Sequence, residues 1–138
     1  MSIRNVRFSF LAALLTACVL PACSDSAPVQ QEPAPDYTGC DTVVETSASD
    51  GEKLQEALIN AAEGSTVCLG RGTFKFDTEV SIAKKGLTLR GQGKDTTILD
   101  FAGQTVGGNG MQITSDGVTV EAFSVKNPPG DGIRATMV

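Results

Sequence analysis

The sequence contains no histidine and no tryptophan, and its one tyrosine is Tyr37. Without imidazole the chain cannot run histidine-based acid–base or nucleophilic catalysis from its own residues, and it has no His-ligated metal. With no indole and a single phenol it also lacks an aromatic platform for sugars. Positive charge is scarce, Lys and Arg numbering 11 against 16 Asp and Glu. An acidic surface repels nucleic acid, so no nucleic-acid partner is expected.

Phosphate-binding loops are missing as well. The stretch GLTLRGQGKDTTILDF, residues 86–101, has glycines, a lysine and hydroxyls, but Asp95 follows Gly93-Lys94 where a magnesium-holding hydroxyl belongs. Thr88 stands where the first glycine of such a loop should be, and no nucleotide is expected. Long hydrophobic runs are absent too. Arg4 and Arg7 precede only the short apolar run Phe8 to Leu15, which has the length of a secretory signal and not of a membrane span.

The residues after that run resemble the bacterial lipobox, in which a leucine three positions before a cysteine and a small residue just before it mark the thiol for lipid attachment. Two frames fit, Leu15-Thr16-Ala17-Cys18 and Leu20-Pro21-Ala22-Cys23. Cys23 is favoured because a Pro-rich polar tether, SDSAPVQQEPAPDYTG, lies directly after it, whereas Cys18 would leave apolar residues at the new terminus. The expected division is a signal peptide over 1–22, a flexible tether over 23–39 and a folded domain over 40–138. Ser24 directly after the cysteine lacks the inner-membrane retention aspartate. By resemblance this implies an outer-membrane lipoprotein of the bacterial envelope, anchored to the membrane through lipid on Cys23. Loss of residues 1–22 removes two arginines and no acid, leaving 9 basic against 16 acidic residues.

Two further cysteines, Cys40 and Cys68, share an oxidising compartment and are expected to pair. The bridge would close a loop of 27 intervening residues, contributing about 3 to 4 kcal/mol on the chain-entropy account.

One helix is legible. Ser49-Asp50-Gly51-Glu52 has capping-box spacing, Leu54, Ala57, Leu58, Ala61 and Ala62 recur on one face, and Gly64 ends the run, which predicts a helix over about 50–63. Beyond it come short runs rich in Val, Ile, Thr and Phe: TVCLG, TFKF, VSI, LTLRG, TILDFA, MQIT, VTVEAFSV and IRATMV. Residues 108–114 align with 130–136 at an offset of 22, and KGLTLRG at 85–91 aligns with DGVTVEA at 116–122 at an offset of 31. A recurring period made of several short strands predicts a coiled parallel sheet. Gly86, Gly91, Gly93, Gly110, Gly117 and Gly132 are read as its corners.

With these pieces in place, residues 50–138 resemble the N-terminal cap and first turns of the right-handed parallel β-helix superfamily that includes pectate lyases, polygalacturonases and alginate C5-epimerases. The pieces that carry the likeness are helix-Gly-x-x-V-x-L-x-x-Gly-Thr-Phe and Leu-Thr-Leu-Arg-Gly-x-Gly. The resemblance implies an all-β solenoid whose N-terminal α-helix plugs the first turn with Leu54, Leu58 and Ala61. It also implies action on, or binding of, an acidic polysaccharide by lyase, epimerase or hydrolase chemistry. The alternative is a non-catalytic surface scaffold or adhesin.

No catalytic residue is assigned, and no metal or cofactor is identified in this chain. Family enzymes use carboxylates, sometimes with lysine, arginine or calcium, and calcium in a longer parent is compatible with that. The carboxylate candidates are Asp77 and Glu79, which share one face of an extended segment, and Asp100, Asp116, Glu121 and Asp131. Lys84 and Lys85 could meet a uronate but read first as a solvated turn. The stretch Asn127-Pro128-Pro129-Gly130-Asp131 lacks the histidine of the epimerase Asp-Pro-His-Asp motif and reads as a turn. Because GIRATMV falls part-way into a repeat, the chain is expected to be the front of a longer protein whose later turns hold the site.

Overall fold

The computed structural model describes residue 28 and residues 30–136. The chain divides into two units, Met1–Glu32 and Pro33–Val138, and the fold is that of the second. Its elements are β1 (Thr42–Val44), α1 (Asp50–Asn60), β2 (Thr66–Leu69), β3 (Gly72–Lys75), β4 (Thr78–Ile82) and β5 (Thr88–Arg90). They continue with β6 (Thr97–Asp100), β7 (Val106–Ile113), β8 (Thr119–Glu121), β9 (Ser124–Lys126) and β10 (Ile133–Ala135). The strands form three sheets, ordered β1-β2-β5-β8, β3-β6-β9 and β4-β7-β10. Every pairing among the described strands is parallel, and from β2 onward each strand pairs with the one three places later.

Period-2 alternation sends one row of each sheet inward. Val67, Leu89 and Val120 stack in register, as do Phe74, Leu99 and Val125, and Val80 with Met111. Phe76 and Phe101 close the core with stacked rings, their centroids 4.7 Å apart. The members of these rows in β2 to β7 are fully buried, so the core runs as a column between the sheets.

Both internal sequence similarities turn out to be strand register. The offset of 22 pairs Met111 with Ile133, and the offset of 31 pairs Thr88 with Thr119. Thr66 pairs with Thr88 at 22, so the longer spacing is the same pairing with nine extra residues. Three enter before β6, because Gly72 pairs with Thr97 at 25, and six enter before Met111, because Val80 pairs with Met111 at 31. The register slips between Thr78 and Val80, where β7 bulges between Val106 and Met111.

The helix differs from its expected form in three ways. It stops at Asn60, because Ala61 is already extended at ψ 140°. Ser49 makes no side-chain cap hydrogen bond. The buried Asp50 instead bonds outside the helix, accepting from the Ser47 N–H before it and from the Lys75 N–H of β3 at 2.8 Å. A carboxylate that joins a helix start to a neighbouring strand satisfies two orphan donors at once, and it meets the positive end of the helix dipole. Leu54 and Leu58 are buried as expected, and Ala61 lies beyond the helix end at 8% exposure.

Gly64 is a corner and not a helix cap. It stacks with Gly86 and Gly117 at φ of 74°, 69° and 68°, joined by bonds from Gly64 N to Lys85 O and from Gly86 N to Asp116 O. A Cβ on Gly86 would lie 3.4 Å from the Gly64 Cα, so both conformation and space favour glycine down this column. Gly93 shares the left-handed conformation, whereas Gly91, Gly110 and Gly132 do not. Gly91 is required by close approach instead, since a Cβ there would meet the Ala122 carbonyl oxygen at 2.2 Å. The run VTVEAFSV is two strands, β8 and β9, because Ala122 turns the chain at φ 60° with no glycine to announce it.

Candidate functional site

Parallel, in-register stacking puts equivalent positions of successive strands about 4.8 Å apart, so outward side chains form rows as regular as the core. On the sheet β3-β6-β9 one such row is Lys75, Asp100 and Lys126. Beside it run Thr73, Ile98 and Ser124. The two lysines therefore flank a carboxylate, about twice the interstrand spacing apart.

Asp100 Oδ1 accepts from Asn127 Nδ2 at 2.8 Å and from the Ala102 N–H at 3.0 Å. The Asn127 bond first, then the Ala102 bond, then the charges of Lys126 and Lys75, hold the Asp100 carboxyl below its ordinary value. At neutral pH it is an anion that accepts hydrogen bonds, not a general acid. Asn127 reaches it from φ 52°, a left-handed conformation that asparagine tolerates better than most side chains. Lys75 also lines a cleft of about 310 Å³ with Ser49, Glu52, Asp77 and Gly103, so the row opens onto a polar recess.

The carboxylates singled out in the sequence are not brought together. Asp77 and Glu79 share the outward side of their segment, but they serve different neighbours. Asp77 lies in the cleft beside the helix start, while Glu79 Oε2 accepts from the Asn109 N–H at 2.8 Å and from Asn109 Nδ2 at 3.2 Å, pinning the bulged first half of β7. Asp116 is exposed in the corner that receives Gly86. Glu121 ends β8 in register with Arg90. Asp131 is exposed, 4.0 Å from Arg134 Nη1. Lys84 and Lys85 lie in the turn before Gly86, Lys85 giving its carbonyl to Gly64.

Among the described residues no group of three or more acidic or cysteine side chains could hold a metal ion. Glu79 and Asp100 accept hydrogen bonds from separate partners and are not brought together with Asp77, so the described residues do not fit a calcium site and no step is derived through one.

No family model, curated protein or solved structure matches this chain. The chemistry open to the site is set by its own residues.

Cys40 and Cys68 are bridged, with Cα atoms 5.8 Å apart. Cys23 lies outside the described residues, as do residues 24–27 and 29 of the expected tether. From Pro33 onward that segment is held: Asp36 exchanges two hydrogen bonds with Gln92, and the Arg90 guanidinium donates to Thr38 O at 2.5 Å. Sequence reading missed this strap and the Lys75–Asp100–Lys126 row. The row carries a usable signal, because its members recur at 25 and 26 residues, but it becomes visible only once the register is known. Nothing in the composition of residues 33–39 marks them as docked.

Proposed function

We propose that this chain is a helix-capped, right-handed parallel β-helix of the pectate lyase-like kind, carried by an envelope lipoprotein anchored through Cys23, and that it binds acidic polysaccharide. The observation that carries the reading is the Lys75–Asp100–Lys126 row. Three parallel sheets visited in turn, closed at one end by a helix, support the fold part of the proposal.

The row suits a chain of uronates. Two ammonium groups about a disaccharide apart can each meet a carboxylate, and the ionised Asp100 with Ser124 and Thr73 can accept or donate to sugar hydroxyls. Its partly exposed charges favour weak, salt-sensitive binding, since exposed ion pairs are screened. Asp100 kept as an anion does not itself donate a proton in lyase or hydrolase chemistry, which favours a binding role for this row over a catalytic one. That observation keeps the scaffold or adhesin reading as the second.

Titration calorimetry against polygalacturonate, alginate and neutral dextran tests the proposal. Binding to the two uronides, lost on Lys75→Ala together with Lys126→Ala and in high salt, is the expected result. Equal binding to dextran would discard the acidic-polysaccharide reading. Ultraviolet absorbance of unsaturated products and new reducing ends, followed in the same samples, would reveal turnover and overturn the assignment of these turns to binding alone.

A further inference from the structure

The outward row Val43, Cys68, Arg90 and Glu121 crosses the sheet β1-β2-β5-β8, yet Cys68 in that row is fully buried. The strap Pro33–Cys40 covers it. Tyr37 Oη donates to Glu45 Oε1 at 2.5 Å, Asp36 and Gln92 exchange bonds at 2.6 and 3.0 Å, and Arg71 donates to Pro33 O. Arg90 does two things at once. Its Nη2 donates to Thr38 O and lies 3.2 Å from Cys40 Sγ and 3.6 Å from Cys68 Sγ. A guanidinium at that distance does little for a neutral disulfide but strongly favours a thiolate, and a stabilised leaving thiolate departs faster. Cys40 is only partly buried, so one sulfur of the pair belongs to a residue within reach of solvent.

We propose that the Cys40–Cys68 bridge is a thiol–disulfide exchange site, opened by an external dithiol, and that its opening releases the strap from the sheet. A thiolate of the dithiol attacks Cys40 Sγ and forms a mixed disulfide. The Cys40–Cys68 bond breaks with its electron pair on Cys68 Sγ, which leaves as a thiolate beside Arg90. The second thiol of the dithiol then attacks its own sulfur in the mixed disulfide and frees Cys40. The dithiol ends as a disulfide, the bridge has taken up two electrons, and the two protons go to solvent or to the freed cysteines.

Once the bridge is open, the strap's hydrogen bonds to Glu45, Arg71, Arg90 and Gln92 are exposed ones, and these exchange readily with water. Its departure uncovers Arg90 and Gln92, adding a cation to a face that the closed form keeps covered. The bridge is thus a latch on a surface and not only a staple.

Tyr37 reports on the strap without interference, being the only tyrosine in a chain that has no tryptophan. Its hydrogen bond to Glu45, with burial and the Glu45 charge behind it, pushes the phenol up to about 12 from 10.0. The test treats the full chain with dithiothreitol and maps Cys40 and Cys68 by peptide mass after alkylation, which sets them apart from the sequence's other cysteines, Cys18 and Cys23. Ultraviolet titration of tyrosinate then follows the strap. Opening should be faster than global unfolding, slower by on the order of threefold to tenfold in Arg90→Gln, and accompanied by a fall of the tyrosine ionisation to about 10. Opening only at the unfolding rate, no effect of Arg90→Gln, or a tyrosine still ionising near 12 after reduction would each overturn the proposal. Should Arg90→Gln not fold, the double variant Cys40→Ser/Cys68→Ser decides on the same tyrosine readout: near 10 supports the latch and near 12 refutes it.

Discussion

Among the described residues two, Ala122 and Asn127, sit in left-handed backbone without being glycine, and each makes a prediction. Ala122 turns the chain between β8 and β9 at φ 60°, where an L side chain costs about 1 to 2 kcal/mol. Ala122→Gly should therefore stabilise the protein or leave it unchanged, despite the added freedom of the unfolded chain. Urea unfolding that shows a loss above about 1 kcal/mol would mean the corner is not strained. Asn127 occupies the other position and holds Asp100 below its ordinary value. For a depressed carboxyl the stabilisation is present above the unfolded value, near 3.8, and is lost as the pH falls through the folded one. Carbon-detected NMR titration should place Asp100 below 3.8 in the native protein and closer to it in Asn127→Ala. An unchanged titration would assign the shift to the Ala102 bond and the lysines instead.

At the scale of elements, the helix was legible and its anchor was not. Leu54 and Leu58 recur at helical spacing, and the burial that spacing implies is what the fold shows. Ser49 holds the expected N-cap position but makes no side-chain cap bond, and the role of Asp50 could not be read because it depends on a strand 25 residues away whose N–H needs an acceptor. Asp50→Ala should cost more than Ser49→Ala, since it orphans the N–H groups of Ser47 and Lys75 in a buried place. A loss of about 2 to 4 kcal/mol for Asp50 and under about 1 for Ser49 is expected from urea midpoints. Equal losses would restore the capping box. The break at Ala122 was illegible for a related reason, as alanine carries no turn signal and the corner is imposed by the β5 and β6 turn beneath it, where Gly91 N bonds to Glu121 O and Gly93 N to Ala122 O.

Across the whole molecule, the order of strands was readable because pairing equivalent positions of successive turns leaves a periodic sequence, at offsets of 22 and 31. The candidate site was not, because a row of outward residues has no period until the extra residues before β6 and Met111 are assigned to their loops. The same stacking sets how stability is distributed. A stack of turns is held by contacts between neighbours, so a strand paired on both sides opens last. Among the described strands β2, β5, β6 and β7 are paired on both sides, whereas β8, β9 and β10 each pair on one. Burial has the same gradient: Leu89 is fully buried, its stack partner Val120 is half-buried, and Ile133 is 41% exposed. Leu89→Ala should therefore cost about 2 to 5 kcal/mol and Val120→Ala clearly less than the roughly 2 kcal/mol floor of a core truncation. Native-state hydrogen exchange should rank the amides of β5 and β6 slowest and those of β8 to β10 fastest. Uniform protection across all the strands would show that this chain opens as one unit and would remove the turn-by-turn account of its stability.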